Sequence, residues 1–158
     1  MKLAKPHFDL AHSPSHLLRL CRQYASELYA REAGHSAITP RQFEVLWAVE
    51  ANEGASQTDL VRLTGIDRST LADLAARMIE KDLLARRRTE SDKRANALRI
   101  TPKGARALRL AAHRIARAES LVLDPLPPFR RAEFLRSLGM IAEAAASTPT
   151  RRNRQRRR

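Results

Sequence analysis

Three groups of polar side chains in the middle of the chain have the chemistry to read a nucleic-acid duplex. Arg68, Ser69, Thr70, Asp73 and Arg77 fall within one ten-residue stretch. Arginine grips guanine O6 and N7 in bidentate fashion, serine and threonine bond bases or phosphates, and aspartate accepts from cytosine N4. The spacing also allows a plainer reading, in which Asp73 and Arg77 form an i,i+4 surface pair. Ser56, Gln57 and Thr58 come earlier, at a helix start. There they can bond phosphate through side chains and backbone amides, or simply cap the helix. Arg86, Arg87 and Arg88 form the third group. Side chains alternate across a strand, so one or two of these reach toward phosphates and another pairs with an acid on the body.

Such groups read a groove only when a rigid element presents them. SQTDLVRLTGIDRSTLADLAARMIEKDLL, from Ser56 to Leu84, reads as two short helices around a turn. Leu60, Val61 and Leu63 can face a core, Gly65 supplies a turn where positive φ is cheap, and Asp67 caps the second helix. Leu71, Leu74, Ala75 and Met78 make an inner stripe on that helix, leaving Arg68, Ser69, Asp73 and Arg77 on other faces. Leu84–Arg88 and Ala95–Ile100 are short strands joined by a polar loop, a basic hairpin. A helix-turn-helix followed by such a hairpin grips DNA with a helix in the major groove and the hairpin toward the backbone or minor groove.

Amphipathic helices flank this unit. One runs from Ser15, with Leu17, Cys21 and Tyr24 and also Leu18, Ala25 and Leu28 in phase, toward a stop at Gly34. Thr39-Pro40-Arg41-Gln42 opens the next with a cap, a proline at the first position and a capping box. Its apolar face is Phe43, Leu46, Trp47 and Ala51, and Gly54 ends it. Thr101-Pro102 repeats the cap-plus-proline start for a long helix to about Val122, striped by Leu108, Ala111, Ile115 and Ala118. After the break at Asp124-Pro125, Phe129 to Ala145 forms a last helix with Phe134, Leu138, Ile141 and Ala142 in phase. The fold class is mainly α with a small β-hairpin wing: a winged helix-turn-helix flanked by dimerisation helices. Residues 1–14 are an irregular arm, 15–38 and 102–146 the dimerisation helices, 39–101 the DNA-binding region, and 147–158 a basic disordered tail. The spare apolar faces of the flanking helices meet a second copy of the chain, which places two reading helices about one duplex turn apart.

Composition supports a polyanion partner. Of 158 residues, 30 are Lys or Arg and 17 Asp or Glu, a net charge of +13. The excess is concentrated. The last eight residues, RRNRQRRR, hold six Arg and no acid, and residues 84–103 hold seven Lys or Arg against Glu90 and Asp92. One cysteine excludes an internal disulfide framework. No apolar run reaches a membrane span of about 20 residues, and the first residues lack the apolar core of a secretory signal. The expected location is the cytoplasm, with no membrane partner and no cofactor. Nothing resembles a phosphate-binding Gly-rich loop, a nucleophilic triad or a metal set, so an enzyme is not expected.

From Thr39 to Gly104 the chain resembles the MarR family of bacterial transcription regulators. The matching pieces are ITPRQFEVLWAV, the two-helix reader above, the wing RRRTESDKRANALRIT with its Asp92-Lys93-Arg94, and TPKG at the start of the long helix. Asp82 departs from the glycine common after the reading helix, and the arginine tail lies outside the family pattern. The resemblance implies a homodimer whose terminal helices interlock, and repression from a pseudo-palindromic operator. It also implies a small, often aromatic or phenolic effector that releases the operator. It places Arg94 at the wing tip in the minor groove, where a narrow A·T-rich groove concentrates negative potential, with Asp92 positioning it. It draws an effector pocket from His16, Arg19, Gln23, Tyr24, Phe43 and Trp47, with His113 from the long helix. Trp47 and Phe43 also fit a simple core stripe.

Two further readings stand beside this one. Cys21 can act as a redox sensor, its neighbours Arg19 and Arg22 lowering the thiol pKa, or it can be an inert buried thiol. His12 and His16 have the i,i+4 spacing of helical metal ligands, but Pro14 between them opposes a helix there. A ligand-independent architectural DNA-binding protein is the alternative to an effector-released repressor. The expected switch is a shift between two dimer shapes that an effector drives through its differential affinity for them.

Overall fold

The computed structural model describes residues 9–33, 38–87 and 97–147. In chain order these form α1 (Pro14–Ala33), α2 (Pro40–Ala51), α3 (Gln57–Thr64), α4 (Arg68–Glu80), β1 (Leu84–Arg87), β2 (Ala97–Ile100), α5 (Pro102–Leu123) and α6 (Pro128–Ser147). A single 3-10 turn, Leu10–His12, precedes α1 and is capped by the Asp9 carboxylate. The arm expected to be irregular is therefore ordered from that turn onward, and α1 begins at Pro14, a residue tolerated in a first helical turn.

Local chemistry sets most boundaries. Thr39 and Gln42 close the expected capping box on α2. Helix α2 ends at Ala51, where the Asn52 side chain caps the Ala48 carbonyl at 2.9 Å. Gly54 lies beyond, in the following turn at φ 81°. Gly65, at φ 65°, ends α3 and turns the chain into α4. Thr101 caps α5 with its hydroxyl accepting from the Gly104 amide at 3.0 Å. That hydroxyl donates to the Asp82 carbonyl at 2.6 Å, tying the hairpin base to the end of α4.

The core is built from α2, α3, α4, the hairpin and the inner face of α5. Leu46, Leu60, Leu71, Met78, Leu84, Leu98 and Val45 are its fully buried side chains. Leu108, Ala111, Ile115 and Ala118 form the buried stripe of α5 as the periodicity requires. The C-terminal part of α1 packs on α5, fastened by Arg117 to Glu32 at 2.8 Å and by Arg114 to the Ala33 carbonyl at 3.0 Å.

Several apolar residues lie elsewhere than the periodicity suggests. On α2 the buried stripe is Val45, Leu46, Ala48 and Val49, with Phe43 half-buried and Ala51 exposed. Trp47 is 58% exposed and Leu63 on α3 is 55% exposed. Cys21 is exposed too, together with Leu17, Leu18 and Tyr24, so a buried inert thiol is not what the chain alone provides. On α6 Phe134 and Leu138 are half-buried and Ile141 and Ala142 exposed, and no described residue of α6 is buried. For α1 and α6 the cause is that nothing among the described residues covers the N-terminal half of α1 or the outer face of α6.

The end of α4 explains the departure at Asp82. The Leu83 amide donates to the Met78 carbonyl at 2.8 Å and the Asp82 amide to the Ile79 carbonyl at 2.9 Å. This is a Schellman ending, which needs a left-handed residue at Asp82, and Asp82 has φ 58°. Its carboxylate also sits at the negative end of the α4 dipole. Replacing Asp82 with glycine is expected to stabilise the fold by about 1 kcal/mol, a rise in melting temperature of roughly 2–4 °C. Thermal unfolding by circular dichroism checks this.

Candidate nucleic-acid interface

Helices α3 and α4 and the turn at Gly65 form the helix-turn-helix. Ile66 is buried and pins the turn to the core. The inner stripe of α4 is Leu71, Leu74, Ala75 and Met78, all buried as expected. That stripe fixes the helix rotation. Arg68, Ser69, Asp73 and Arg77 are exposed in consequence, and Thr70 is half-buried. Among the described residues no ion pair joins Asp73 to Arg77. Both therefore keep their hydrogen-bonding groups toward solvent.

The start of α4 is more constrained than spacing alone suggests. The Ser69 and Thr70 hydroxyls both donate to the Asp67 carboxylate, at 2.7 and 2.6 Å, and the Thr70 amide donates to it at 3.1 Å. The Thr70 hydroxyl, the Ser69 hydroxyl and the Thr70 amide hold the Asp67 carboxyl well below the usual carboxylate range. With their protons committed, Ser69 and Thr70 offer only lone pairs outward. They suit acceptor roles toward base amino groups, and a phosphate contact requires release from Asp67.

At the start of α3, Ser56 is the N-cap. Its hydroxyl donates to Asp59 at 2.6 Å and accepts from the Asp59 amide at 3.2 Å. Arg62 pairs with the same carboxylate at 2.9 Å. The capping role considered for Ser56 is thus present. Gln57 is half-buried and Thr58 exposed beside it. In the hairpin Leu84 pairs with Ile100, Ala85 with Arg99, Arg86 with Leu98 and Arg87 with Ala97. The expected strand ends at Arg88 and Ala95 lie outside the described residues, and Arg86 and Arg99 are exposed on opposite faces. Arg88, Asp92 and Arg94 lie outside the described residues.

Of the effector candidates, Trp47 alone lines either of the two grooves at α2–α3. His16 and Arg19 are joined at 3.3 Å, and Gln23 donates to Glu27 at 3.0 Å. The Tyr24 hydroxyl reaches the Leu121 carbonyl at 3.5 Å. Phe43 packs against the core, and His113 is exposed on α5. Trp47 lines a 240 Å³ groove with Glu44, Leu63 and Thr64, which contains none of the other candidates.

The residue that spacing missed is Tyr29. It is buried where α1 meets the core, and its hydroxyl has no hydrogen-bond partner among the described residues. Burial, with the carboxylates of Glu44 on α2 and Glu119 on α5, pushes its phenol up to about 12. Burial likewise raises the Glu44 carboxyl, with Glu119 adding to it and Arg41 opposing. The available signal was phase: Tyr29 lies four residues before Ala33 and four after Ala25 on one stripe of α1. Below pH 10 the neutral phenol costs nothing in ionisation. As pH rises from 10 toward 12 the unfolded chain ionises first, so stability falls across that window. Tyr29→Phe is expected to remove this loss and to add about 1 kcal/mol at neutral pH by deleting an unpartnered hydroxyl. Urea midpoints of both proteins at pH 7 and pH 11 measure it.

The anchored α4, its polar outer face and the paired hairpin define a winged helix-turn-helix protein. The chain belongs to the MarR family, whose sequence profile matches residues 38–95. It is similar to the PcaV transcriptional regulator of Streptomyces coelicolor, solved with its natural ligand. The identity is 33%, over 89% of this chain and 99% of that one, with a TM-score of 0.81. The repressor CouR, solved on a 23-mer DNA duplex, is 27% identical over 90% of this chain and 99% of its own, with a TM-score of 0.76. The repressor NicR of Pseudomonas putida is 26% identical over 101 residues, 64% of either chain. The chain thus spans slightly less than two thirds of NicR. No helix among the described residues is long and apolar enough to cross a membrane.

Proposed function

We propose that the protein is a homodimeric, DNA-binding transcription regulator, a repressor that a small aromatic ligand releases from a pseudo-palindromic operator. The observation that carries this reading is α4. Its buried stripe holds the helix still while Arg68, Asp73 and Arg77 stand on the open side without ion-pair partners among the described residues. Any surface helix is polar on its outer face; the side chains on this one are of the types that bond base edges in a major groove. The terminal regions 15–38 and 102–146 supply the dimer. PcaV with its natural ligand and CouR on DNA support both halves of the proposal. The Tyr29 hydroxyl, beside the acids of α2 and α5, is a polar anchor for such a ligand within the helices already considered. Location in the cytoplasm follows from this role.

The test begins with binding-site selection from random duplexes. Fluorescence anisotropy on the selected duplex should then show affinity falling steeply with salt, with a log–log slope of several units for several phosphate contacts per dimer. Arg94→Ala should weaken operator binding roughly tenfold while leaving the dimer intact. A flat salt response overturns the DNA assignment, and unchanged affinity in the variant overturns the wing assignment. A duplex complex that no aromatic acid or phenol releases would favour the architectural alternative.

A further inference from the structure

The start of α4 is closed by its own cap rather than left open to an anion. Asp67 precedes the helix in extended backbone. One oxygen of its carboxylate accepts from the Ser69 hydroxyl at 2.7 Å and from the Thr70 amide at 3.1 Å. The other accepts from the Thr70 hydroxyl at 2.6 Å. These bonds hold the Asp67 carboxyl well below the usual carboxylate range, the Thr70 hydroxyl acting most strongly. A phosphate brought to this helix start therefore meets a negative charge already in the place an anion would take. The groups at the start of α4 suit base edges better than backbone.

We propose that Asp67 is a positioning residue for base recognition: it orients the Ser69 hydroxyl as an acceptor, so that Ser69 takes the amino group of an adenine or a cytosine in each half-site. The proposal rests on the reading of α4 as the helix that enters the major groove. A serine hydroxyl has one proton and two lone pairs, and when free to turn it bonds either kind of base edge. Beside an ionised carboxylate the proton is committed, because a charge-assisted bond outcompetes a neutral one. Thr70 is half-buried and Ser69 exposed, so Ser69 is the one whose lone pairs face outward. In the major groove the donors are adenine N6 and cytosine N4. Guanine O6 or thymine O4 at the same point sets lone pair against lone pair. The discrimination thus comes from the charge on Asp67 and is delivered through Ser69.

The experiment runs binding-site selection and anisotropy on the wild-type chain, on Asp67→Asn and on Ser69→Ala, with circular dichroism confirming the fold. Asparagine is an equally good N-cap, but its amide donates as well as accepts, so the Ser69 proton is no longer committed. The wild-type site should contain one base pair per half-site whose reversal, A·T for T·A or C·G for G·C, costs about tenfold in affinity. Deleting the exocyclic amino group there, with purine for adenine or an aminoless pyrimidinone for cytosine, should cost as much. Both variants should bind the two orientations alike and ignore the amino deletion. Asp67→Asn should add nothing to that loss of preference in a Ser69→Ala background. Removing a carboxylate beside phosphates should also raise affinity for unselected duplex, whereas loss of a merely structural cap would lower it for every duplex. Uniform weakening, or a preference retained in either variant, overturns the proposal. A wild-type chain that selects no sequence overturns the regulator reading along with it.

Discussion

Replacing Gly104 with alanine is expected to destabilise the protein by about 3 kcal/mol, lowering the melting temperature by roughly 6–12 °C. A Cβ at Gly104 would overlap the Leu83 carbonyl oxygen and press on the Ile100 side chain at 3.0 Å. The oxygen belongs to backbone, so it cannot swing away as a flexible side chain does. It is also fixed by its own bond, accepting from the Thr101 amide at 3.2 Å. Leu83 in turn closes the Schellman ending of α4 through its amide. Relief of the clash therefore moves the hairpin base, the N-cap of α5 or the end of α4, and each movement breaks a bond that joins reader to wing. Folded molecules should consequently lose operator affinity beyond what the fall in stability explains. Calorimetry and anisotropy on the same preparation separate the two effects. An unchanged melting temperature would mean that α5 does not start against Leu83.

Gly104 also shows where the sequence is legible and where it is not. TPKG announces a helix start because cap, proline and first-turn chemistry are contained within four residues. Thr39-Pro40-Arg41-Gln42 is legible for the same reason, and both starts stand where expected. The need for glycine at 104 arises from Leu83, twenty-one residues earlier, and no local pattern carries it. The inner stripe of α4 was legible because it has a single apolar face. Helix α2 has apolar residues on more than one side: Leu46 and the half-buried Phe43 meet the core as periodicity suggests, but Trp47 and Ala51 are exposed where the core takes Val45 and Val49. Leu63 on α3 is exposed for a similar reason: apolar type does not say which side the core lies on. Asp82 read as a departure, and its φ shows that the position still demands left-handed backbone. Tyr29 was invisible because its environment is assembled from α1, α2 and α5. The wing residues Arg88, Asp92 and Arg94 rest on motif alone, since they lie outside the described residues.

Cys21 and α6 raise a different problem, since an amphipathic stripe shows that a partner is needed without saying which molecule supplies it. Leu17, Leu18 and Leu20 on α1 and Phe129, Leu135, Met140 and Ile141 on α6 are all exposed in the single chain. Apolar surface on this scale is uncommon on a monomer and marks an interface. A second copy is the economical cover, because both helices then bury like surfaces around one twofold axis. On this argument the double substitution Leu135→Glu and Ile141→Glu should leave the core intact, since neither residue is buried in the chain. It should prevent dimer formation, because two carboxylates per subunit would be desolvated without counter-ions. Operator affinity should then fall by about 100-fold or more, since a monomer holds one half-site and loses the effective concentration that links two. Sedimentation velocity reads the assembly and anisotropy the affinity. A variant that stays dimeric and binds the operator normally would remove α6 from the interface.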